Sequence, residues 1–245
     1  MQKLLETQSI VSLKPQLCWE DLVKIPTLNA AVSHLESTYN FQCHPYLIWM
    51  QATSTSREAF LQSQLSFRFA VESFPQALAA VLARMPILET RMPIFENLAE
   101  EHGKGDRKIS HKATFHRYLQ ALGATPTELK TPCTTPVLAF NQSILTYCLT
   151  QPPEAGAAML GTIESLYVGI SSAIAQTLLE RNWTVPGSQS HYSTHEILDT
   201  QHAEDLLSVA AVGWDAPHSR TQIAQALLLG AYYFWSLYDG LLPCL

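Results

Sequence analysis

The sequence has little of what a disulfide-framed, fibrous or nucleic-acid-binding protein needs. Its five cysteines, Cys18, Cys43, Cys133, Cys148 and Cys244, are odd in number and scattered, with no CxxC pair. That pattern suits reduced thiols in a cytosol better than an oxidised frame. Only 15% of the residues are charged, the net charge is −6, and no stretch gathers Lys and Arg. A surface of that kind does not attract a polyanion, so nucleic acid is excluded as an expected partner. Glycines number only ten, and no segment alternates apolar and polar residues as a half-buried strand does. The N-terminus, MQKLLETQSIVSLKPQ, lacks the apolar run of a secretory signal, and the expected location is the cytoplasm.

What the chain does have is helical periodicity, and at 245 residues and 47% hydrophobic content it can bury a large core. We read residues 1–245 as a single all-α domain of seven or more helices, with no repeat and no linker long enough to split it. Glu20 to Tyr39 reads as a first helix broken at Pro26, and a second amphipathic run leads from Ser56 to Val71. Pro75 and Pro86 are expected to separate successive helices, because proline fits a first turn and breaks an interior. The run PIFENLAEEHGKGD should end at Gly103, a further helix should carry His111 towards Gly123, and Thr135-Pro136 should open the next. Thr221 to Tyr238 holds no charge over eighteen residues, but Gln222, Gln225, Gly230 and Ser236 interrupt it. It reads as a core helix rather than a membrane span. Its stretch Ala231 to Trp235 could serve a homodimer interface or only the core.

Two features carry chemistry. In SQSHYSTHEILDTQHAED, His191, His195, Asp199 and His202 are spaced four, four and three apart. At about 100° per residue they fall within roughly 80° of one another on one helical face. Such a face is either a solvated stripe or a row of metal ligands, since imidazole and carboxylate at this spacing can share an ion. The second feature is Glu164, the only charged residue between Ala155 and Leu179. In a helix this apolar, a buried carboxylate costs several kcal/mol unless a cation, a proton or a metal answers it. Arg181 or Arg91 could do so; a metal shared with the histidines would answer both features together. Helical bundles build carboxylate-bridged metal pairs in this manner, although the Glu-x-x-His signature of ferritin-like bundles is absent.

FENLAEEHG, then SHKATFHRYLQALG after a short loop, then Glu164, then HEILDTQH with its His-x3-Asp-x2-His spacing together resemble the heme-oxygenase-like diiron oxidases. This family is grouped with TenA, PqqC and especially CADD-like proteins. HPYLIWM and FRFAVESFPQALAAVLARMP are similar to the family's second and third helices, so the likeness spans roughly residues 40 to 240. The resemblance implies a heme-oxygenase-like bundle and two irons, or manganese, held by Glu100, His111, Glu164, His195, Asp199 and His202. The loop GKGDRKIS admits other alignments, with Glu96 or Glu101 in place of Glu100 and His102 or His116 in place of His111. Glu96 and Glu100 share a face, and Glu101 is expected to point elsewhere. His191, Tyr192 and Tyr167 are candidates for the surroundings of the site or for plain packing. The implied activity is oxidation of a small organic substrate with O2 as co-substrate and no haem, whose single proximal histidine would lie early in the chain. Relatives of the family act on amines, fatty or amino acids, or a residue of their own chain, and no residue here selects among these. The competing readings are a metal-free TenA- or PqqC-like enzyme acting on an organic ligand, and a non-catalytic helical protein that binds a partner.

Overall fold

The architecture is built around one helix, Pro153–Glu180, whose apolar sequence leaves it no exposed face to spare. The computed structural model describes residues 14–183 and 190–243, excepting the side chains of residue 190 and of 193–199. Among these residues the α-helices, in order, are α1 (Trp19–Leu22), α2 (Leu28–Thr38), α3 (Pro45–Gln51), α4 (Arg57–Arg84), α5 (Leu88–Glu101), α6 (His111–Ala121), α7 (Thr135–Thr150), α8 (Pro153–Glu180), α9 (Ser190–Ala211) and α10 (Pro217–Asp239). No strand occurs among the described residues.

Local sequence sets most of the boundaries. Thr27, Ser56 and Ser110 each accept a hydrogen bond from the backbone N–H three residues on, capping α2, α4 and α6. Prolines open α3, α7, α8 and α10, where the missing N–H costs nothing. His44 caps α3 with its ring: Nδ1 accepts from Tyr46 N at 2.9 Å, while Nε2 faces Trp235 O at 3.1 Å. The first expected helix is indeed two, α1 and α2, on either side of Pro26.

Pro75 does not break the chain as expected. It lies inside the 28-residue α4, which runs on to Arg84. Ahead of the proline, Asn141 of α7 donates to Phe69 O at 3.0 Å and to Ser73 Oγ at 3.1 Å, tying this part of α4 to its neighbour although Pro75 has no N–H to give Val71 O. Pro86 does separate two helices, α4 ending at Arg84 and α5 beginning at Leu88, while Pro93 is interior to α5. Helix α5 does stop before Gly103, whose φ is 68°.

Helix α8 packs most extensively along α9 and α10 and also meets α4 and α7. Two glycines set how close its neighbours come. A Cβ on Gly161 would lie 3.1 Å from Leu206 Cβ of α9, and one on Gly230 of α10 would lie 2.7 Å from Met159 O of α8. By length and composition α8 could cross a membrane, but 78% of its most apolar window is buried inside the protein, as befits a core helix. A hydrogen-bonded cluster in the core ties α9 to α4, α3 and α6: Tyr192 and Tyr118 hydroxyls both donate to Gln64 Oε1, at 2.6 and 3.2 Å. Gln64 Nε2 donates to Tyr46 at 2.8 Å. Burial pushes these phenols well above their ordinary range, so they serve as neutral donors.

Candidate metal centre

Three buried side chains from three helices converge beside α8. Glu101 from the end of α5, Glu164 from the middle of α8 and His202 from α9 each offer a ligand atom, and these atoms lie within 4.8 Å of one another. They are 6%, 5% and 2% exposed. His111, the first residue of α6, places Nδ1 2.8 Å from Glu101 Oε1. His202 Nε2 lies 2.8 Å from Glu100 Oε2, and its Nδ1, buried, has no hydrogen-bond partner among the described residues. A buried imidazole with one ring nitrogen not engaged in a hydrogen bond, in a group with two carboxylates, has the chemistry to bind a metal ion. The donor set, carboxylate oxygen with imidazole nitrogen and no thiolate, suits iron or manganese.

The structure therefore brings together His111, Glu164 and His202 of the six residues the sequence indicated. At the α5 position the inward carboxylate is Glu101, not Glu100. The buried face of α5 runs through Ile94, Asn97 and Glu101, and one residue's step of about 100° turns Glu100 towards the rim. Glu100 is engaged there between His202 and Lys104 Nζ, the latter at 2.7 Å. Burial works to raise its carboxyl pKa, but the hydrogen bonds from Lys104 and His202 outweigh that and hold it below the usual range. A carboxylate behind a metal-binding imidazole fixes the ring's orientation and tautomer. Of the alternatives, His102 is exposed and bonded to Leu98 O, and His116 pairs with Glu72 Oε1 at 2.8 Å, away from the trio. Both His195 and Asp199 belong to α9, but their side chains lie outside the described residues.

His191, 1% exposed, borders the same space. Thr114 spends its hydroxyl proton on His111 O at 3.0 Å, so its oxygen accepts from His191 Nδ1–H at 3.1 Å. Beside the trio opens a cavity of about 490 Å³, counting its mouth. Glu101, His111, Glu164, His191 and Tyr167 border it, and Phe67, Phe74, Phe140, Ile163 and Phe234 supply apolar walls. Sequence reasoning missed the wall from α4, although Phe67, Ala70, Val71 and Phe74 stand at helical spacing on one face.

The all-α bundle wrapped round one central helix is the heme-oxygenase-like fold, and solved structures share it. A heme-oxygenase-like domain of unknown function from Shewanella denitrificans superimposes with a TM-score of 0.72 at 12% identity, covering 89% of this chain and 92% of that one. A CADD-like protein of unknown function from Nostoc punctiforme gives 0.62 at 16% identity over 87% and 100%. Residues 64–235 match the iron-containing redox enzyme family, and the chain belongs to it. Among curated proteins, the 4-aminobenzoate synthase of Chlamydia trachomatis is 25% identical over 164 residues, 65% of this chain and 68% of that protein.

Proposed function

We propose that the protein is an O2-activating oxidase or oxygenase with two irons held by Glu101, His111, Glu164, His195, Asp199 and His202. The observation that carries this reading is the convergence of Glu101, Glu164 and His202, with Nδ1 of the buried His202 ring lacking a hydrogen-bond partner among the described residues. Two buried carboxylates this close repel each other, and a cation between them would relieve that cost. A pair of Fe(II) ions would supply the electrons that O2 reduction requires and the Lewis acidity to bind it.

The chain's own residues do the rest. Glu100 fixes the His202 ring through Nε2, so that Nδ1 is the atom left for the metal. Helix α8 holds Glu164 rigidly by burying Thr162, Ile163, Leu166 and Tyr167 around it. The apolar walls keep bulk water away from the reacting bond and place the substrate against the carboxylate end. An aromatic-walled cavity is in keeping with the chlamydial relative's name as the synthase of an aromatic amine.

Anaerobic titration with Fe(II), followed by admission of O2 while the visible spectrum is recorded, tests the proposal. Uptake approaching two irons per chain and an O2-dependent absorption change, both lost in His202→Ala, is the expected result. No iron uptake by the folded wild-type protein would overturn it.

A further inference from the structure

Neighbouring side chains fix both the orientation and the tautomer of the His191 ring, which borders the cavity. The residue stands in the first turn of α9 and is 1% exposed. Phe115 of α6 and Tyr192 make edge contacts with its ring, centres 4.8 and 5.2 Å away. Because the Thr114 hydroxyl gives its proton to His111 O, the 3.1 Å bond between Thr114 and the ring runs from Nδ1–H to the hydroxyl oxygen. In the neutral ring the lone pair is then on Nε2, which acts as an acceptor. The same threonine ties this acceptor to the first turn of α6, where His111 begins the helix, and the two imidazole centres are 6.1 Å apart. A hydrogen-bond acceptor of fixed orientation thus borders an aromatic-walled space beside the metal ligands.

We infer that His191 is a substrate-binding residue: its Nε2 accepts a hydrogen bond from an O–H or N–H of the bound molecule, an alcohol, phenol or amine with that group beside the bond that reacts. This inference rests on the metal-centre reading above for what reacts, but not for the hydrogen bond itself. A ligand that fills the cavity excludes water from Nε2. A donor on the ligand takes the water's place, whereas an apolar group there leaves the nitrogen unpaired. The walls select what carries the donor: Phe67 and Phe74 of α4, Phe140 of α7 and Phe234 of α10 suit an aromatic ring or a short chain.

The test compares p-cresol and p-toluidine with p-xylene, molecules of nearly one shape in which a methyl group replaces the donor. Binding to the iron-loaded and to the chelator-treated full chain is measured by anaerobic calorimetry, with iron content determined on the same samples. For at least one donor, affinity relative to p-xylene should fall by about tenfold or more in His191→Phe, with iron content unchanged. His191→Gln, whose side-chain oxygen reaches the place of Nε2, should recover part of that preference. Thr114→Val, which frees the ring to carry its proton on Nε2, should lower it. A ratio within about twofold of the wild type in His191→Phe would overturn the inference, because a merely structural histidine does not tell a donor from a methyl group. Where His191→Phe does not fold, an unchanged ratio in Thr114→Val overturns it equally. So do donors that bind the wild type more weakly than about 1 mM, or loss of iron from His191→Phe, which would make His191 a metal ligand. A wild-type chain that takes up no iron, with the preference present and lost in the variants, would overturn the metal reading and leave the hydrogen bond standing.

Discussion

Replacing Glu164 with glutamine should raise the stability of the metal-free protein and abolish its stabilisation by iron. The side chain keeps its size, so α8 need not repack. Ligand atoms of Glu101 and Glu164 lie within 4.8 Å. Two unit charges at that distance repel by about 3.5 kcal/mol at an effective dielectric constant of 20, whether the cost is met as strain or as uptake of a proton. Glu164→Gln removes the repulsion, and after the partial loss of hydrogen bonding a gain of ~1 to 2 kcal/mol remains, or about 2 to 8 °C in Tm for a chain of this size. In the wild type, iron at a hundred times its Kd adds about 2.7 kcal/mol, on the order of 5 to 10 °C. Calorimetric melting of chelator-treated and anaerobically iron-loaded samples reads both shifts. A variant that melts below the wild type without metal, yet keeps the whole iron-induced shift, would refute the reasoning.

Three further outcomes follow from the packing. His44, fully buried with both ring nitrogens engaged, has its pKa pushed down by burial from 6.5 to about 4. Its neutral form is the one folding favours, so its contribution is complete above pH 6.5 and is lost as pH falls towards 4, on the order of 3 kcal/mol. Urea midpoints measured between pH 7 and 4 should fall more steeply in the wild type than in His44→Asn. Gly230→Ala forces a Cβ to within 2.7 Å of Met159 O and should cost about 1 to 3 kcal/mol by urea denaturation, because α10 must move off α8. Gln64→Leu strips the Tyr192 and Tyr118 hydroxyls of their acceptor and should cost about 2 to 4 kcal/mol in the same assay.

Much of this was legible in the sequence because the signals were local. The proline-opened α7 and α8, the stop at Gly103 and the isolation of Glu164 in an apolar helix each depend on a few neighbouring residues. The family resemblance gave the bundle and an α5 carboxylate, but not which of two adjacent glutamates faces inward. Helix α5 is weakly amphipathic: Leu88, Met92 and Phe95 are exposed, while Asn97 and Glu101 are buried, so its pattern of hydrophobicity misstates its inner face. Pro75 was misleading for a related reason. The packing that holds α4 on either side of it includes bonds from Asn141, 66 residues further on, and no local rule registers them. The α4 wall of the cavity was visible as spacing, but not as a wall until α7, α8 and α10 enclosed it.

The bonds at the end of α5 join the solvent to the core in two steps. Lys104, with two thirds of its side chain in water, holds Glu100, and Glu100 holds the almost wholly enclosed ring of His202. Counter-ions in the medium cannot approach that ring, yet they compete for the ammonium that tethers its support. The buffer therefore acts on the interior through this lysine: raising the ionic strength loosens the outer pair first and leaves the imidazole with a less constrained carboxylate behind it. A property of the deepest part of the molecule is in this way coupled to the salt around it.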